Sequence, residues 1–200
     1  QIPVRSAVAG WPPPGWDFVA CDVGQGDALV LPAGPHVGVE IDAGPDPVLV
    51  DRCLRDLGVT EVALLAFTHY HLDHVGGLAG VLHGRRVDRV IAGPLAEPAS
   101  GMALVDGMLG PRQLTVSTPA VGTHFGIGRV QLQVLGPTAV FHDTRSDPNN
   151  SSLVMRAIVD GVSILLTGDA EIEAQQAMLA EHLDLRADVL KVPHHGSAYS

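Results

Sequence analysis

The six residues from His69 to His74, His-Tyr-His-Leu-Asp-His, constrain this chain more than any other feature of the sequence. They follow a short apolar segment, residues 61–67 (EVALLAF), which is typical of a buried strand. A short helix is predicted to begin at Val75, so three imidazoles and one carboxylate are expected to converge in a tight strand-to-helix turn. Such a donor set suits zinc, manganese or iron. The alternative is a solvated turn that happens to be rich in histidine, but no structural need calls for such a cluster.

More candidate ligands stand at the ends of two later predicted strands. Asp169 follows the strand at residues 162–167, and His194 and His195 follow the strand at residues 188–192. A hydrolytic two-metal site needs two sets of terminal ligands and one bridging carboxylate, and rigid strand ends can hold them. Asp169 could instead cap the helix that begins near Ala170, and the two roles can coexist.

Five further motifs accompany the histidine-rich turn, in this order: DVGQGD at 22–27, IDAG at 41–44, NNSSLV at 149–154, LLTGD at 165–169 and VPHHGS at 192–197. With the turn, they resemble the C-terminal hydrolase-like domain of the ComEC family, the membrane channel proteins of bacterial DNA uptake. The turn alone specifies only the metallo-β-lactamase superfamily, whereas the ordered set is much more specific. The resemblance runs from about Trp11 to the last residue.

The resemblance implies an α/β fold, the four-layer αββα sandwich of the metallo-β-lactamase superfamily. The predicted order of strands followed by a helix, twice over, fits two packed sheets flanked by helices. Residues 1–16 are expected to form a Pro-rich linker, and residues 17–200 the hydrolase domain. Family members continue past the VPHHGS motif with another strand and helix, so the domain is expected to be C-terminally incomplete. A start at Gln1 agrees with a piece cut from a larger membrane protein.

The resemblance also implies roles for the candidate ligands. His69 and His71 would hold a first metal ion, Asp73 and His74 a second, and Asp169 would bridge them. His194 would complete the second site, leaving His195 to contact substrate or brace the site. Asp73, Asp169 and His195 are the predicted catalytic residues, with Asp73 also able to hold or accept a proton. One or two divalent ions, zinc or manganese, are the predicted cofactors.

The sequence departs from the superfamily pattern at the third histidine of the first metal. That position falls within residues 147–152, which contain no histidine. Asn150 could bind the metal weakly, orient a phosphate, or shape a turn. His124 and His142 could fill the gap, but each is interpreted as an ordinary loop histidine.

Further residues are predicted to contact substrate or to orient the metal-binding imidazoles. Asn150, Ser152 and Lys191 are the predicted substrate contacts. Lys191 and Arg156 could bind phosphate, with an exposed, solvated charge as the alternative for each. Asp42 is the predicted carboxylate that orients a metal-binding imidazole.

Regular elements and cysteines complete the predicted organisation. Helices are predicted at residues 46–57, 75–82, 102–109 and 171–182, and hairpins at the GQGD and Asp160-Gly161 turns. Asp22 and Asp27, beside the first hairpin, border the active site in the family. Cys21 and Cys53 lack metal-ligand spacing and are predicted to be buried free thiols.

Composition bounds the function. The formal net charge of −10 is unfavourable for tight DNA binding and fits weak, transient engagement better. No apolar run approaches the roughly 20 residues needed to cross a bilayer, and residues 1–10, with one arginine and no apolar h-region, are not predicted to be a signal peptide. The leading hypothesis is a metal-dependent phosphodiesterase that degrades one DNA strand as the other is taken up. Its partners would be DNA and the membrane-embedded channel of the same parent protein, with this domain on the extracytoplasmic side. The alternatives are a small-molecule hydrolase and a non-catalytic DNA-guiding module.

Overall fold

The computed structural model describes residues 11–198, which form two β-sheets with helices on both outer faces. Seven strands of the described residues form the first sheet, in the order β1-β2-β3-β4-β6-β7, with β5 also pairing with β4. Strands β1 to β3 are antiparallel, and β3, β4, β6 and β7 are mutually parallel. Their bounds are β1 Val19–Ala20, β2 Leu29–Gly34, β3 Val37–Ile41, β4 Glu61–Phe67, β5 Arg86–Val87, β6 Val90–Ala92 and β7 Val116–Ser117.

The second sheet has five strands in the described chain, in the order β12-β11-β10-β9-β8. It is antiparallel except for the β11–β12 pair, which is parallel. The bounds are β8 His124–Ile127, β9 Val130–Gly136, β10 Val154–Val159, β11 Val162–Leu166 and β12 Val189–Leu190. The predicted hairpin at Asp160-Gly161 joins β10 to β11 and is confirmed.

Six α-helices of the described residues connect or flank these strands. Their bounds are α1 Pro47–Asp56, α2 Leu72–Val75, α3 Leu78–Val81, α4 Ala99–Leu109, α5 Asp147–Asn150 and α6 Ile172–Ala180. The helix predicted at residues 75–82 is observed as two short helices, α2 and α3, separated by Gly76 and Gly77. A β-carbon on either glycine would collide with neighbouring backbone. Within the described residues, no helix combines the length and apolar character that a bilayer crossing requires.

Three apolar clusters define the layers. The first lies between the first sheet and helices α1, α3 and α4; the second lies between the two sheets; and the third packs α6 against the outer face of the second sheet. Strand β4 is buried on both faces, with Phe67 in the first cluster and Leu64 in the second. This double burial explains why its sequence is continuously apolar instead of alternating. The predicted αββα sandwich is confirmed.

The N-terminal linker prediction falls partly on residues 1–10, which lie outside the described residues. In the described part, Trp16 packs against the first cluster, whereas Trp11 is exposed. The contact at Trp16 ties the end of the Pro-rich segment to the domain.

The prediction for the cysteines was wrong, because Cys21 and Cys53 form a disulfide. Cys21 follows β1 and Cys53 lies in α1, so a sequence separation of 32 residues gave no indication that they meet. They meet on the outer face of the first sheet, between its edge strand β1 and helix α1, where each cysteine contacts the first cluster. The bridge therefore links the first hairpin to the first helix.

Candidate metal centre

The histidine-rich turn lies where β4 ends and α2 begins, at the carboxyl end of the parallel strands. His69 and His74 are buried, whereas His71 is partly exposed. Nε2 of His69 lies 3.0 Å from Nδ1 of His71. Two ring nitrogens at this separation can bind one metal ion as neighbouring ligands. The structure thus brings together the two imidazoles predicted for the first metal.

Asp42, which follows β3, orients His74 as predicted. Its Oδ2 lies 2.9 Å from Nδ1 of His74, and its Oδ1 accepts a hydrogen bond from the backbone N–H of Thr68 at 2.7 Å. Thr68 Oγ1 donates a further bond to Asp42 Oδ2. The Asp42 carboxylate can only accept a hydrogen bond, so Nδ1 of His74 must carry a proton. Nε2 then faces the site.

Asp169 lies at the centre of the second group of ligands. Its Oδ2 lies 3.2 Å from Nε2 of His74 and 3.4 Å from Nε2 of His195. Gly168 precedes it with a left-handed φ of 52°, and a β-carbon there would lie 2.8 Å from Cβ of Thr68. Glycine is therefore required where this turn meets the β4 end.

His194 is the residue predicted to complete the second group of ligands, but the structure places His195 closer to its carboxylates. His195 Nε2 lies 3.7 Å from Asp73 Oδ2 and 3.4 Å from Asp169 Oδ2, a geometry that favours His195 as the ligand. His194 Nε2 is farther from Asp169, at 3.9 Å, and its Nδ1 lies 3.2 Å from Glu171 Oε1. Both residues have left-handed φ angles, which turn successive side chains in different directions. Spacing alone could not distinguish the two.

Asp27, at the end of the first hairpin turn, also belongs to the site. Together with His74, Asp169 and His195 it offers ligand atoms that all lie within 4.8 Å of one another. Gly26 brings this turn against the histidine-rich turn, since a β-carbon there would collide with the carbonyl of Asp73. The sequence suggested only that Asp27 borders the site, because a GQGD turn is also an ordinary hairpin connection.

Lys191 is buried, so the alternative prediction for it, an exposed and solvated charge, is wrong. Its side chain is 8% exposed and forms an ion pair with Asp27. Nζ also donates to the carbonyl of Gly168 at 2.8 Å and lies 3.5 Å from Asp169 Oδ1. The ammonium thus occupies one oxygen of Asp169 and leaves Oδ2 for the ligand group.

Two other predicted substrate contacts are held inside the protein. Asn150 donates to Thr144 Oγ1 and Glu173 Oε2 and accepts from the N–H of Ala174, so its hydrogen bonds attach α5 to α6. Of the three roles predicted for Asn150, these hydrogen bonds support the structural one, in which it shapes a turn. Ser152 is fully buried, 3.4 Å from His69 Nδ1, and accepts from the N–H of Asp169. It braces two ligands instead of facing solvent.

Arg156 lies on β10 and pairs with Asp184, through the carbonyl and, at 3.8 Å, the carboxylate. It takes no part in the ligand cluster. His124 and His142 are exposed, in agreement with their interpretation as ordinary loop histidines.

The electrostatics of the site divide its imidazoles into two kinds. Burial lowers the pKa of His69 well below its usual value and lowers that of His71. Hydrogen bonds to Asp169, Asp27 and Asp73 raise the pKa of His195 to about 11. Burial alone would lower the pKa of His74, but Asp42 and Asp169 raise it to about 10. The first pair is therefore neutral at pH 7, as metal ligands must be, whereas the second pair is positively charged among carboxylates.

The donor set fits divalent metal ions. Asn149 Oδ1 and Glu171 Oε2 are buried atoms without a hydrogen-bond partner, whereas His74 Nε2 and His194 Nδ1 each lie 3.2 Å from a carboxylate oxygen. Buried polar atoms of folded proteins are normally paired, so unpaired oxygens beside clustered imidazoles and carboxylates suit a bound cation. A cation would satisfy them and would supply the positive charge that His74 and His195 carry. His69 and His71 would hold one ion, and Asp73, His74 and His195 the other, with Asp169 between them.

Comparisons with known proteins identify relatives of this chain. The chain is 32% identical over 200 residues to ComE operon protein 3 of Bacillus subtilis (strain 168), covering 88% of this chain and 25% of that protein. It is 30% identical over 196 residues to the uncharacterized protein YcaI of Escherichia coli (strain K12), covering 92% of this chain and 23% of that protein. The chain thus spans about a quarter of the length of these curated relatives, and the first matches the ComEC resemblance predicted from the motifs.

A solved structure shares the fold. The metallo-β-lactamase of Cronobacter sakazakii that carries a HARLDQ motif superposes with a TM-score of 0.56 at 19% identity, over 88% of this chain and 79% of that one. The sequence profile described as "Metallo-beta-lactamase superfamily" matches residues 23–200. The two-sheet sandwich, the clustered ligands and this match together place the chain in the metallo-β-lactamase superfamily, as a metal-dependent hydrolase domain.

Proposed function

We propose that this domain is a metal-dependent phosphodiesterase that acts on DNA, the nuclease domain of a DNA-uptake channel that degrades the strand not transported. The observation that carries the hydrolase part is the position of Asp169 Oδ2, which lies within 3.4 Å of both His74 Nε2 and His195 Nε2. A carboxylate oxygen that close to two imidazole nitrogens suits a shared metal ligand, and bridging to the position at His69 and His71 is part of this proposal. Zinc or manganese ions bound there would activate water at neutral pH and neutralise charge on a phosphate.

The residues of the chain divide the remaining work. Asp73 is the most solvent-accessible carboxylate of the ligand group, with a side chain 31% exposed. Although burial opposes it, His195 lowers the pKa of Asp73, so this carboxylate is ionised at pH 7 and can accept a proton. Asp42, Thr68 and Ser152 hold the imidazoles in place, and Lys191 orients Asp169.

DNA as the substrate is supported by the ordered set of motifs and by the similarity to ComE operon protein 3. A net charge of −10 gives the domain no general affinity for a polyanion, so contact with DNA is expected to be weak and transient. The membrane-embedded channel of the same parent protein would deliver the strand.

The disulfide between Cys21 and Cys53 supports a location on the extracytoplasmic side of the cell membrane. Disulfides form and persist in oxidising compartments and are rare in the cytosol of most organisms. Incoming DNA would then meet this domain before it crosses the bilayer.

The test is hydrolysis of single-stranded and double-stranded DNA by the chain, with manganese or zinc added and with chelator added. Asp73→Ala is the control, because it removes a ligand at the accessible side of the site. Cleavage that requires metal and disappears in the control is the expected result. Stoichiometric metal binding without cleavage of either form of DNA would contradict the proposal that DNA is the substrate.

A small-molecule phosphoester, lactone or thioester is the second candidate substrate. The pairing of Lys191 with Asp27 favours it, because this lysine beside the cluster is already neutralised and is less available to hold a DNA phosphate. Hydrolysis of a chromogenic phosphodiester or lactone, with DNA left intact, is the outcome that this candidate predicts. A chain that neither binds metal nor cleaves DNA would instead be a non-catalytic DNA-guiding module.

A further inference from the structure

The first metal position, between His69 and His71, lacks the third imidazole that the superfamily pattern leads one to expect. The segment that corresponds to it is α5, whose two asparagines point in different directions. Asn150 is hydrogen-bonded to α6 and to Thr144. Asn149 instead contacts the imidazole of His71. The side chain of α5 that reaches the metal position is therefore Asn149.

The amide of Asn149 has a defined orientation. Its Nδ2 donates to Oε1 of Glu171 at 3.0 Å. Because a carboxylate accepts and cannot donate, the nitrogen must face Glu171 and the oxygen must face away from it. That oxygen, Oδ1, is buried in a side chain only 4% exposed, and the group it faces is the imidazole of His71. A buried carbonyl oxygen beside a metal-binding imidazole is a suitable ligand for a cation.

Glu171 holds this arrangement in place. It precedes α6 and is 1% exposed. Its Oε1 accepts from Asn149 and lies 3.2 Å from Nδ1 of His194, so one carboxylate fixes both side chains. A buried carboxylate that anchors a ligand's donor group is a recurring means of fixing metal ligands.

We propose that Asn149 supplies, through Oδ1, the third protein ligand of the His69–His71 metal position, and that Glu171 is the positioning residue that directs it there. This assignment rests on the metal centre of the proposed function and deepens it. An uncharged amide oxygen is a weaker donor than imidazole toward zinc. The two ions are therefore expected to bind with different affinities, the weaker one at His69, His71 and Asn149.

Calorimetric titration of the chain with zinc and with manganese tests the assignment, alongside metal analysis after dialysis. The wild-type chain should bind two ions with distinct affinities. Asn149→Ala should retain the tighter ion and weaken the other at least about 100-fold, because a ligand is removed. Glu171→Gln should weaken the same ion about 10- to 100-fold without abolishing it, the range seen when an anchoring partner is lost.

Two variants keep the test decisive. Asn150→Ala is the matched control, since it alters the neighbouring asparagine and should leave both affinities unchanged in folded protein. Asn149→His restores an imidazole and should bind zinc at the weaker position at least about 10-fold more tightly than wild type. This variant decides the question even where Asn149→Ala does not fold.

The failures are distinguishable. Unchanged affinities in Asn149→Ala, or zinc binding by Asn149→His no tighter than wild type, would overturn the ligand assignment and leave the metal centre standing. A wild-type chain that binds a single ion, insensitive to Asn149→Ala, would overturn it as well. A wild-type chain that binds no ion would overturn the metal centre and the proposed function together.

Discussion

Asp42 determines which nitrogen of His74 faces the site, although it is not itself a ligand. Replacing it with asparagine keeps the shape but removes the charge that holds the proton on Nδ1. We expect Asp42→Asn to lower metal affinity and activity about 10- to 100-fold, as for other partners of metal-binding imidazoles. Calorimetric titration with zinc measures the effect, with the exposed Asp56→Asn as control. Equal affinities in the two variants would contradict the orienting role.

Glu40 predicts a pH dependence of stability. It is fully buried on β3, both its oxygens lack a hydrogen-bond partner, and burial raises its pKa well above the ordinary value of 4.5. The folded chain therefore keeps this carboxyl protonated after the unfolded chain ionises it. Its contribution to stability is intact below about pH 4.5 and is lost as the pH rises toward the raised pKa.

Glu40→Gln removes this titration, so its free energy of unfolding should rise relative to wild type between pH 4.5 and pH 8. Urea denaturation across that range checks the result, with the exposed Glu181→Gln as control. A constant difference between Glu40→Gln and wild type at all pH values would contradict a neutral buried carboxyl.

Single residues also show how much of the site could be predicted from the sequence. The ligands within six consecutive residues were predictable because their spacing is itself the signal. Asn149 and Asn150, or His194 and His195, could not be told apart, because side-chain direction depends on the local backbone of a four-residue helix or a pair of left-handed residues. The burial of Lys191 depends on Asp27, which lies 164 positions earlier in the chain.

At the scale of elements, the turn after β11 positions Asp169 against the end of β4. Gly168→Ala would place a β-carbon 2.8 Å from Thr68 in a left-handed conformation. We expect it to destabilise the fold by about 1–3 kcal/mol and to weaken metal binding by moving Asp169. Gly161→Ala is the control, because it has a φ of 92° but open space around it. Both variants should lower the unfolding temperature, and only Gly168→Ala should lower metal affinity.

The disulfide joins two elements of the first layer and should contribute measurably to stability. A bridge across 32 residues restricts the unfolded chain enough to add about 3–4 kcal/mol. Reduction with dithiothreitol should therefore lower the free energy of unfolding of the wild-type chain by that order. The double variant Cys21→Ser, Cys53→Ser should be less stable from the start and insensitive to the reductant. Equal sensitivity in both proteins would mean that the bridge does not form.

Strands and helices could be predicted where the apolar pattern of the local sequence determines their packing. Contacts between elements that are distant in the sequence could not. The core strands β4 and β11 were predicted closely, at residues 61–67 and 162–167, because each carries an apolar pattern that one buried environment explains. The helix predicted at 171–182 is observed at Ile172–Ala180. The disulfide could not be predicted, since the separation of two cysteines along the chain contains no information about how β1 and α1 pack.

At the scale of the whole molecule, the metal centre connects the two sheets. His69 and His74 follow β4 of the first sheet, whereas Asp169 and His195 follow β11 and β12 of the second. An ion held from both sides would link two layers that also meet through the apolar cluster between them and through the ion pair of Lys191 with Asp27. Because such an ion binds the folded chain and not the unfolded one, its binding free energy adds to the stability of the entire sandwich.

We therefore expect metal to raise the unfolding temperature cooperatively. An ion at 100 times its dissociation constant adds about 2.7 kcal/mol. For a chain of this size that corresponds to an increase of about 5–10 °C in the unfolding temperature. Differential scanning calorimetry of the chelator-treated chain, with and without zinc, measures the shift. Asp169→Asn is the control, because it keeps the shape of the central ligand while removing its charge. An equal shift in wild type and Asp169→Asn would place the stabilising ion elsewhere, whereas a shift confined to wild type would mean that the stabilising ion binds at Asp169.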